Sequence, residues 1–284
     1  MSFASSVAES IRGRLDTLTA SERRAARALL ANYPMLGLET VAEFSARSGV
    51  SSPTILRFTG RLGFPTYADF QRRLREEVEA QLKSPLAKAG PPRRKGVKLD
   101  SHSAFAASVS ENIMETFRHL PAAEFDAVVA LIADAKRPLY LLGGRFTDAI
   151  AHYMTAHLRI LRPRVLHMEG QPDNWRDQLM DIGRKDVLLL FDIRRYQDDL
   201  VGLAKAATER QAAVVLLTDQ WLSPIARIAQ HVLPARVQVP SAWDSSAALL
   251  AIAEALIGAV TARNWPSVKS RIGALERLRP VETN

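Results

Sequence analysis

The segment Ser51-Ser-Pro-Thr-Ile-Leu-Arg-Phe-Thr-Gly-Arg61 sets hydroxyls at Ser51, Ser52 and Thr54 ahead of guanidinium groups at Arg57 and Arg61, with no acid among them. Hydroxyls near a helix N-terminus bond phosphates or base edges, and Arg57 can bind guanine bidentately or clamp a phosphate. Arg61, one turn further on, suits a phosphate. This is chemistry for double-stranded DNA, with Ser51, Ser52, Pro53, Thr54, Arg57 and Arg61 as the candidate contacts. The competing reading is an ordinary αα-hairpin in a helical bundle. A second group is Gly143-Gly144 with Thr147, between an apolar run and a helix. Backbone N–H groups there can face an anion at the helix N-terminus, and Thr147 adds a hydroxyl. The same glycines also suit a plain strand-to-helix turn, so two readings stand.

Catalytic chemistry is not legible. His152 and His157 are five residues apart, a spacing that does not put two ligands on one helix face. They read as a partly exposed histidine and a packing one. Glu169 and Asp173 have no histidine between them, and no serine-histidine-acid order has recognisable spacing. His231 reads as structural, Glu254 as a helix-surface acid, and Ser223 as a cap before Pro224. The expectation is a protein that is not an enzyme, with no metal site and no cofactor.

Elements must position these groups. Apolar residues at helical spacing predict a helix over Ser5–Leu15. Thr19 with Glu22 reads as a capping box opening a helix that runs to about Asn32, and Pro34 bars its extension. Helices follow over Thr40–Ser48 and Ser52–Leu62, separated by Gly49-Val50-Ser51. Gly49 supplies a positive φ, Val50 packs beneath the turn, Ser51 caps, and Pro53 sits where a missing N–H costs little. Phe44, Ile55 and Phe58 would face each other, with Ser52, Thr54, Arg57 and Arg61 on the other side. A helix over Thr66–Leu82 completes this all-α helix-turn-helix domain, residues 1–82. Residues 83–100 hold three prolines, two glycines and six cations and read as a basic linker. Beyond it, helices over Ser103–Leu120 and Ala122–Ala135 lead into five apolar runs. These are Leu139–Leu142, Val165–Met168, Val187–Phe191, Val214–Leu217 and His231–Leu233. Helices alternate with them over Asp148–Leu161, Trp175–Ile182, Asp198–Arg210 and Pro224–Ala229, and a last one spans Ala242–Arg263. The pattern predicts an α/β domain, residues 101–284, built on a five-stranded parallel sheet flanked by helices.

Charge agrees with a polyanionic partner for the first third. Residues 1–99 carry 17 Lys and Arg against 9 Asp and Glu, whereas residues 100–284 carry 21 of each. Six of the cations lie in the linker, so residues 1–82 alone are only +2. A basic linker by itself would give this asymmetry. The chain has no cysteine, which excludes disulfides, thiolate metal sites and cysteine nucleophiles. With no apolar run of membrane length and no signal-peptide pattern at Met1–Ser5, a cytoplasmic protein without membrane partners is expected.

Leu18-Thr-Ala-Ser-Glu-Arg-Arg24, the hairpin, and Arg57-Phe-Thr-Gly-Arg-Leu-Gly-Phe64 with Tyr67-Ala-Asp-Phe70 resemble the DNA-binding domain of the RpiR/MurR family of regulators, over nearly all of residues 5–80. The resemblance implies a winged or extended helix-turn-helix, dimeric operator binding, and a C-terminal SIS (sugar isomerase) domain, and the expected assembly is a homodimer or homotetramer. Residues 120–262 are similar to that domain through Leu139–Thr147, Asp186–Leu190 and Leu216–Ala226. An SIS domain implies a phosphosugar cleft at the strand C-termini, where open α/β sheets place ligands in general.

One loop departs from the family. Its phosphosugar-binding members carry a serine-rich segment after the third strand, but here the chain reads Phe191-Asp-Ile-Arg-Arg-Tyr-Gln197. Two guanidinium groups and a phenol replace the hydroxyls, so an anion is still recognised while a phosphosugar does not follow. The expected effector set is Gly143, Gly144, Arg145, Thr147, Asp192, Arg194, Arg195 and Tyr196, binding a small anionic metabolite. Alternatively Arg194 and Arg195 pair with Asp198 and Asp199. The leading expectation is a repressor of a metabolic operon. The rivals are an SIS-type phosphosugar isomerase and a regulator whose α/β domain only dimerises.

Overall fold

The computed structural model describes residues 6–82 and 101–278, and the linker read at 83–100 lies outside the described residues. The chain forms two compact units. The first contains the residues up to Pro121 together with Asp219–Leu222 and Arg236–Ser245, and the second contains the remainder. The helix read over Ser103–Leu120, at the start of the α/β domain, therefore groups with the N-terminal helices. Its Asn112 Nδ2 donates to the Gln238 carbonyl at 2.7 Å, and its Thr116 Oγ1 accepts from the Arg236 N–H at 2.9 Å.

The first unit contains helices α1 (Val7–Arg12), α2 (Ala20–Ala31), α3 (Met35–Leu38), α4 (Val41–Ser48), α5 (Ser52–Arg61), α6 (Tyr67–Leu82) and α7 (Ser101–His119). Capping boxes open three of them: Ser6 with Glu9, Thr19 with Glu22, and Thr40 with Glu43. Each satisfies two orphan N–H groups at its helix start. The helix expected to reach Leu15 stops at Arg12 and gives way to a 3₁₀ turn, Leu15–Thr17. The short α3 was not anticipated. The core between α2, α4 and α5 closes on Phe44, Ile55, Phe58 and Leu29, all fully buried. Phe44 and Phe58 meet edge to face, with centroids 6.4 Å apart. Burying each of these side chains contributes about 1.5–3 kcal/mol.

The second unit is built on a five-stranded sheet ordered β2-β1-β3-β4-β5. Its strands are β1 (Leu139–Gly143), β2 (Val165–His167), β3 (Val187–Asp192), β4 (Ala213–Asp219) and β5 (His231–Ala235). Leu139 aligns with Val165 on one side and Val187 on the other, and Val187 aligns with Ala213, all in parallel register. Every residue of β3 and β4 is buried, which is why these strands read as unbroken apolar runs rather than alternating ones.

Helices α8 (Ala122–Ala133), α9 (Asp148–Leu161), α10 (Pro172–Leu179), α11 (Asp198–Glu209), α12 (Ala247–Arg263) and α13 (Trp265–Leu278) complete the unit. On one face Leu188, Leu190, Val214 and Leu216 pack with Trp175 and Leu179 of α10 and with Leu200, Leu203 and Ala204 of α11. Three expectations shift. The segment from Pro224 is a four-residue 3₁₀ turn, Pro224–Arg227, and α12 starts at Ala247 rather than Ala242. α13 was unread, because a proline at position 266 is tolerated in the first turn of a new helix. Among the described residues no single helix is long and apolar enough to cross a membrane.

Candidate nucleic-acid interface and anion-binding rim

The turn between α4 and α5 follows from its residues. Gly49 adopts φ +65, closing α4 with its N–H on the Ala46 and Ser45 carbonyls. Ser45 Oγ donates to the Val50 carbonyl, which pins the turn from inside. Ser51 occupies the cap position of α5 with extended backbone, but its hydroxyl makes no capping bond. It lies 2.9 Å from Thr54 Oγ1 instead.

The expected contact set therefore divides. Ser51, Pro53, Arg57 and Arg61 are exposed and Ser52 is half-buried, whereas Thr54 is buried. Thr54 was expected on the outward side. One turn of helix from Phe58, it faces inward and accepts from Arg57 Nη2 at 3.2 Å. That bond steadies the guanidinium base. Arg61 is also held: its Nη1 donates to the Thr17 carbonyl at 2.9 Å, and its Nε lies 3.3 Å from Glu22 Oε1. Burial works against the charge on Glu22. Hydrogen bonds from the Thr19 N–H and hydroxyl, aided by Arg61 and Arg57, outweigh it and hold the carboxyl below its usual range. Sequence reasoning missed Leu56, an apolar side chain 49% exposed between the polar ones on this face.

At the C-terminal edge of the sheet the structure brings the other candidate residues together. The β1–α9 turn carries Gly143, Gly144, Arg145 and Thr147, and the β3–α11 loop carries Asp192, Arg194, Arg195 and Tyr196. The two interlock. Gly144 N–H donates to the Phe191 carbonyl at 2.9 Å, Thr147 Oγ1 donates to the same carbonyl at 2.7 Å, and Arg145 N–H donates to Gln197 Oε1 at 2.8 Å. Gly143 N–H donates to Asp148 Oδ1 at 2.9 Å. The expected anion-facing donors of Gly143, Gly144 and Thr147 are thus engaged inside the chain, and Thr147 is buried. Glycine at 143 is a packing requirement: a Cβ there would lie 2.4 Å from the Asp148 nitrogen.

Asp192 is buried and accepts from the Ser223 hydroxyl, while Ser223 Oγ in turn accepts from Ile225 N–H at 3.2 Å, the cap expected of it. Of the rim cations Arg145 and Arg195 are exposed and Arg194 is buried, and Tyr196, which follows them in sequence, is half-buried. His152 and His157 are both exposed, so neither is the packing histidine expected from spacing. His157 instead lies against Tyr153, with ring centroids 4.6 Å apart. Glu254 is exposed and accepts from Tyr153 Oη at 3.0 Å, and His231 Nδ1 lies 2.7 Å from Glu124 Oε2.

The model of the helix-turn-helix domain of the rpiR family matches residues 5–81, and the SIS domain model matches residues 131–259. The chain's N-terminal domain belongs to the rpiR helix-turn-helix family. Its combination of a helix-turn-helix domain and a sugar-isomerase-type domain is that of a transcriptional regulator. The chain is 27% identical over 242 residues to the HTH-type transcriptional regulator HexR of Escherichia coli, covering 83% of this chain and 79% of that one. Among solved structures it resembles the sugar isomerase domain of an RpiR transcription factor from Sphaerobacter thermophilus. That match has a TM-score of 0.59 and 24% identity, over 64% of this chain and 100% of that one. It also resembles the Vibrio vulnificus NanR protein complexed with ManNAc-6P, with a TM-score of 0.55 and 15% identity over 96% of this chain and 97% of that one. At these identities the structural matches speak for the shared fold.

Proposed function

We propose that this regulator represses a metabolic operon, binding a double-stranded operator as a homodimer or homotetramer and releasing it when a small anionic metabolite occupies the sheet rim. The observation that carries the reading is the outward face of α5, where Ser51, Ser52, Pro53, Arg57 and Arg61 form a basic, acid-free surface. A helix of this kind entering a major groove reads base edges with its first turns and phosphates with the next. Both half-sites of an operator must be in register, so a ligand that favours another arrangement of the DNA-binding parts lowers affinity. The rim offers Arg145, Arg194, Arg195 and Tyr196 to a phosphate or carboxylate, a donor set that suits sugar-derived acids as well as sugar phosphates. The sugar phosphate carried by NanR in its complex, on a similar fold, is compatible with this ligand class. We propose no catalysis, because the one carboxylate in the rim set, Asp192, is buried against Ser223.

The test is selection of duplex fragments on the full chain, followed by titration with phosphorylated sugars and sugar acids. Arg57→Ala is expected to weaken operator binding by about 1–3 kcal/mol with the fold intact. Arg145→Ala combined with Arg195→Ala, both exposed positions, is expected to leave operator affinity unchanged while removing the metabolite response. Failure to select any duplex sequence would overturn the regulator reading. A metabolite response untouched by the double variant would move the effector elsewhere.

A further inference from the structure

At the end of β2 the fold assembles a cluster that no function so far uses. His167 closes the strand, Glu169 follows it, and His152 reaches over from α9. Their ligating atoms all lie within 4.8 Å of one another. The His167 side chain is only 5% exposed. Its Nε2 lies 2.9 Å from Asp148 Oδ1, so the carboxylate fixes the proton on Nε2 and leaves Nδ1 as a lone pair. That Nδ1 is buried and has no hydrogen-bond partner. Glu169 Oε1 lies 3.8 Å away, too far for a hydrogen bond, and the His152 ring stands edge-on with its centroid at 4.9 Å. A buried acceptor without a partner is costly, and a lone pair beside a carboxylate is costlier still unless a cation sits between them.

We propose that His152, His167 and Glu169 bind a divalent transition-metal ion of the zinc class, with Asp148 as the carboxylate that orients the ligating His167. Two imidazoles and a carboxylate suit zinc, and a histidine whose second nitrogen is held by a carboxylate is the usual arrangement behind such a ligand. Bonds of about 2.0–2.2 Å place the ligand atoms of one ion roughly 3–4 Å apart. The His167–Glu169 pair already meets this. His152 and Glu169 are exposed, and rotation of their side chains closes the rest. Three protein ligands leave a position for water or for an oxygen of a small molecule. The ligands lie on different elements, which is why their spacing in sequence gives no metal motif. Asp148 also accepts from Gly143 N–H at 2.9 Å, so the ion's outer carboxylate is shared with the β1–α9 turn.

The experiment is calorimetric titration of the chelator-treated full chain with zinc chloride. One ion per chain is expected. His152→Ala and Glu169→Ala, at exposed positions, should each weaken binding by more than about 10-fold without moving the metal-free melting temperature. Asp148→Asn should weaken it by about 10–100-fold. His157→Ala, further along α9, should leave it unchanged. Absence of saturable binding, or one-to-one binding that survives His152→Ala and Glu169→Ala, would overturn the proposal.

Discussion

Two turns in this molecule look alike in sequence and behave in opposite ways. Gly49-Val-Ser-Ser-Pro before α5 and Gly143-Gly-Arg-Phe-Thr before α9 both join glycine and hydroxyl residues to a helix start. At the first, the packing residues Phe44, Ile55 and Phe58 draw one side of α5 inward and leave Ser51, Pro53, Arg57 and Arg61 in solvent. At the second, the N–H groups of Gly143, Gly144 and Arg145 are taken by Asp148, Phe191 and Gln197. A glycine turn ahead of a helix is thus not by itself an anion cradle: at both turns the glycine N–H groups are bonded within the chain, and what differs is which side chains face solvent. The anion recognition proposed for the rim therefore falls to arginine side chains rather than to backbone.

The glycines sharpen this contrast most. Gly143 has negative φ and no room, whereas Gly49 has φ +65 and nothing within 4 Å of an added Cβ. Gly143→Ala forces a methyl against the α9 backbone, and a loss of about 3 kcal/mol or more is expected by urea denaturation. Gly49→Ala pays only for the left-handed conformation, about 1–2 kcal/mol. If the two variants lose equal stability, the distinction between a packing glycine and a conformational one fails here.

Thr147→Val separates structure from ligand binding at the rim. The Thr147 hydroxyl bridges its own turn to the Phe191 carbonyl, and that carbonyl keeps the Gly144 N–H when the hydroxyl is removed. A loss of about 1 kcal/mol in stability is expected, with the metabolite response retained. Retained stability with a lost response would instead make Thr147 a ligand contact.

Much of this was legible in the sequence because it depends on local pattern. The Thr19–Glu22 box, the positive φ of Gly49 and the unbroken apolar runs of β3 and β4 each follow from a few neighbouring residues. What was illegible depends on residues distant in the chain. Thr54 reads as polar and outward, and only the fold turns it inward toward the packed side of α5. His152 was paired in spacing with His157, and the fold pairs it with His167. The backbone donors at Gly144 and Arg145 could be counted from sequence, but their partners Phe191 and Gln197 lie beyond the next strand. The exposed Leu56 carried a signal, since its position falls on the polar side of the helical period.

The smallest expected effect tests whether the two arginines of α5 differ as their surroundings suggest. Arg57 is exposed, and one of its terminal nitrogens, Nη2, donates to Thr54 Oγ1. Arg61 already donates to the Thr17 carbonyl and pairs with Glu22, while its own carbonyl accepts from Arg14. To reach a phosphate it must exchange these partners, so most of the new attraction is offset by the old one. Glu22 in this pair is buried, so parting it from Arg61 costs more than breaking a fully exposed pair, which is worth about 1 kcal/mol or less. Arg61→Ala should therefore change operator affinity by less than Arg57→Ala and flatten the salt dependence of binding only slightly, as read by fluorescence anisotropy across a salt series. An Arg61→Ala effect as large as that of Arg57→Ala would mean the helix approaches DNA with its C-terminal turn. The outward face would then have to be redrawn from Arg61 backwards.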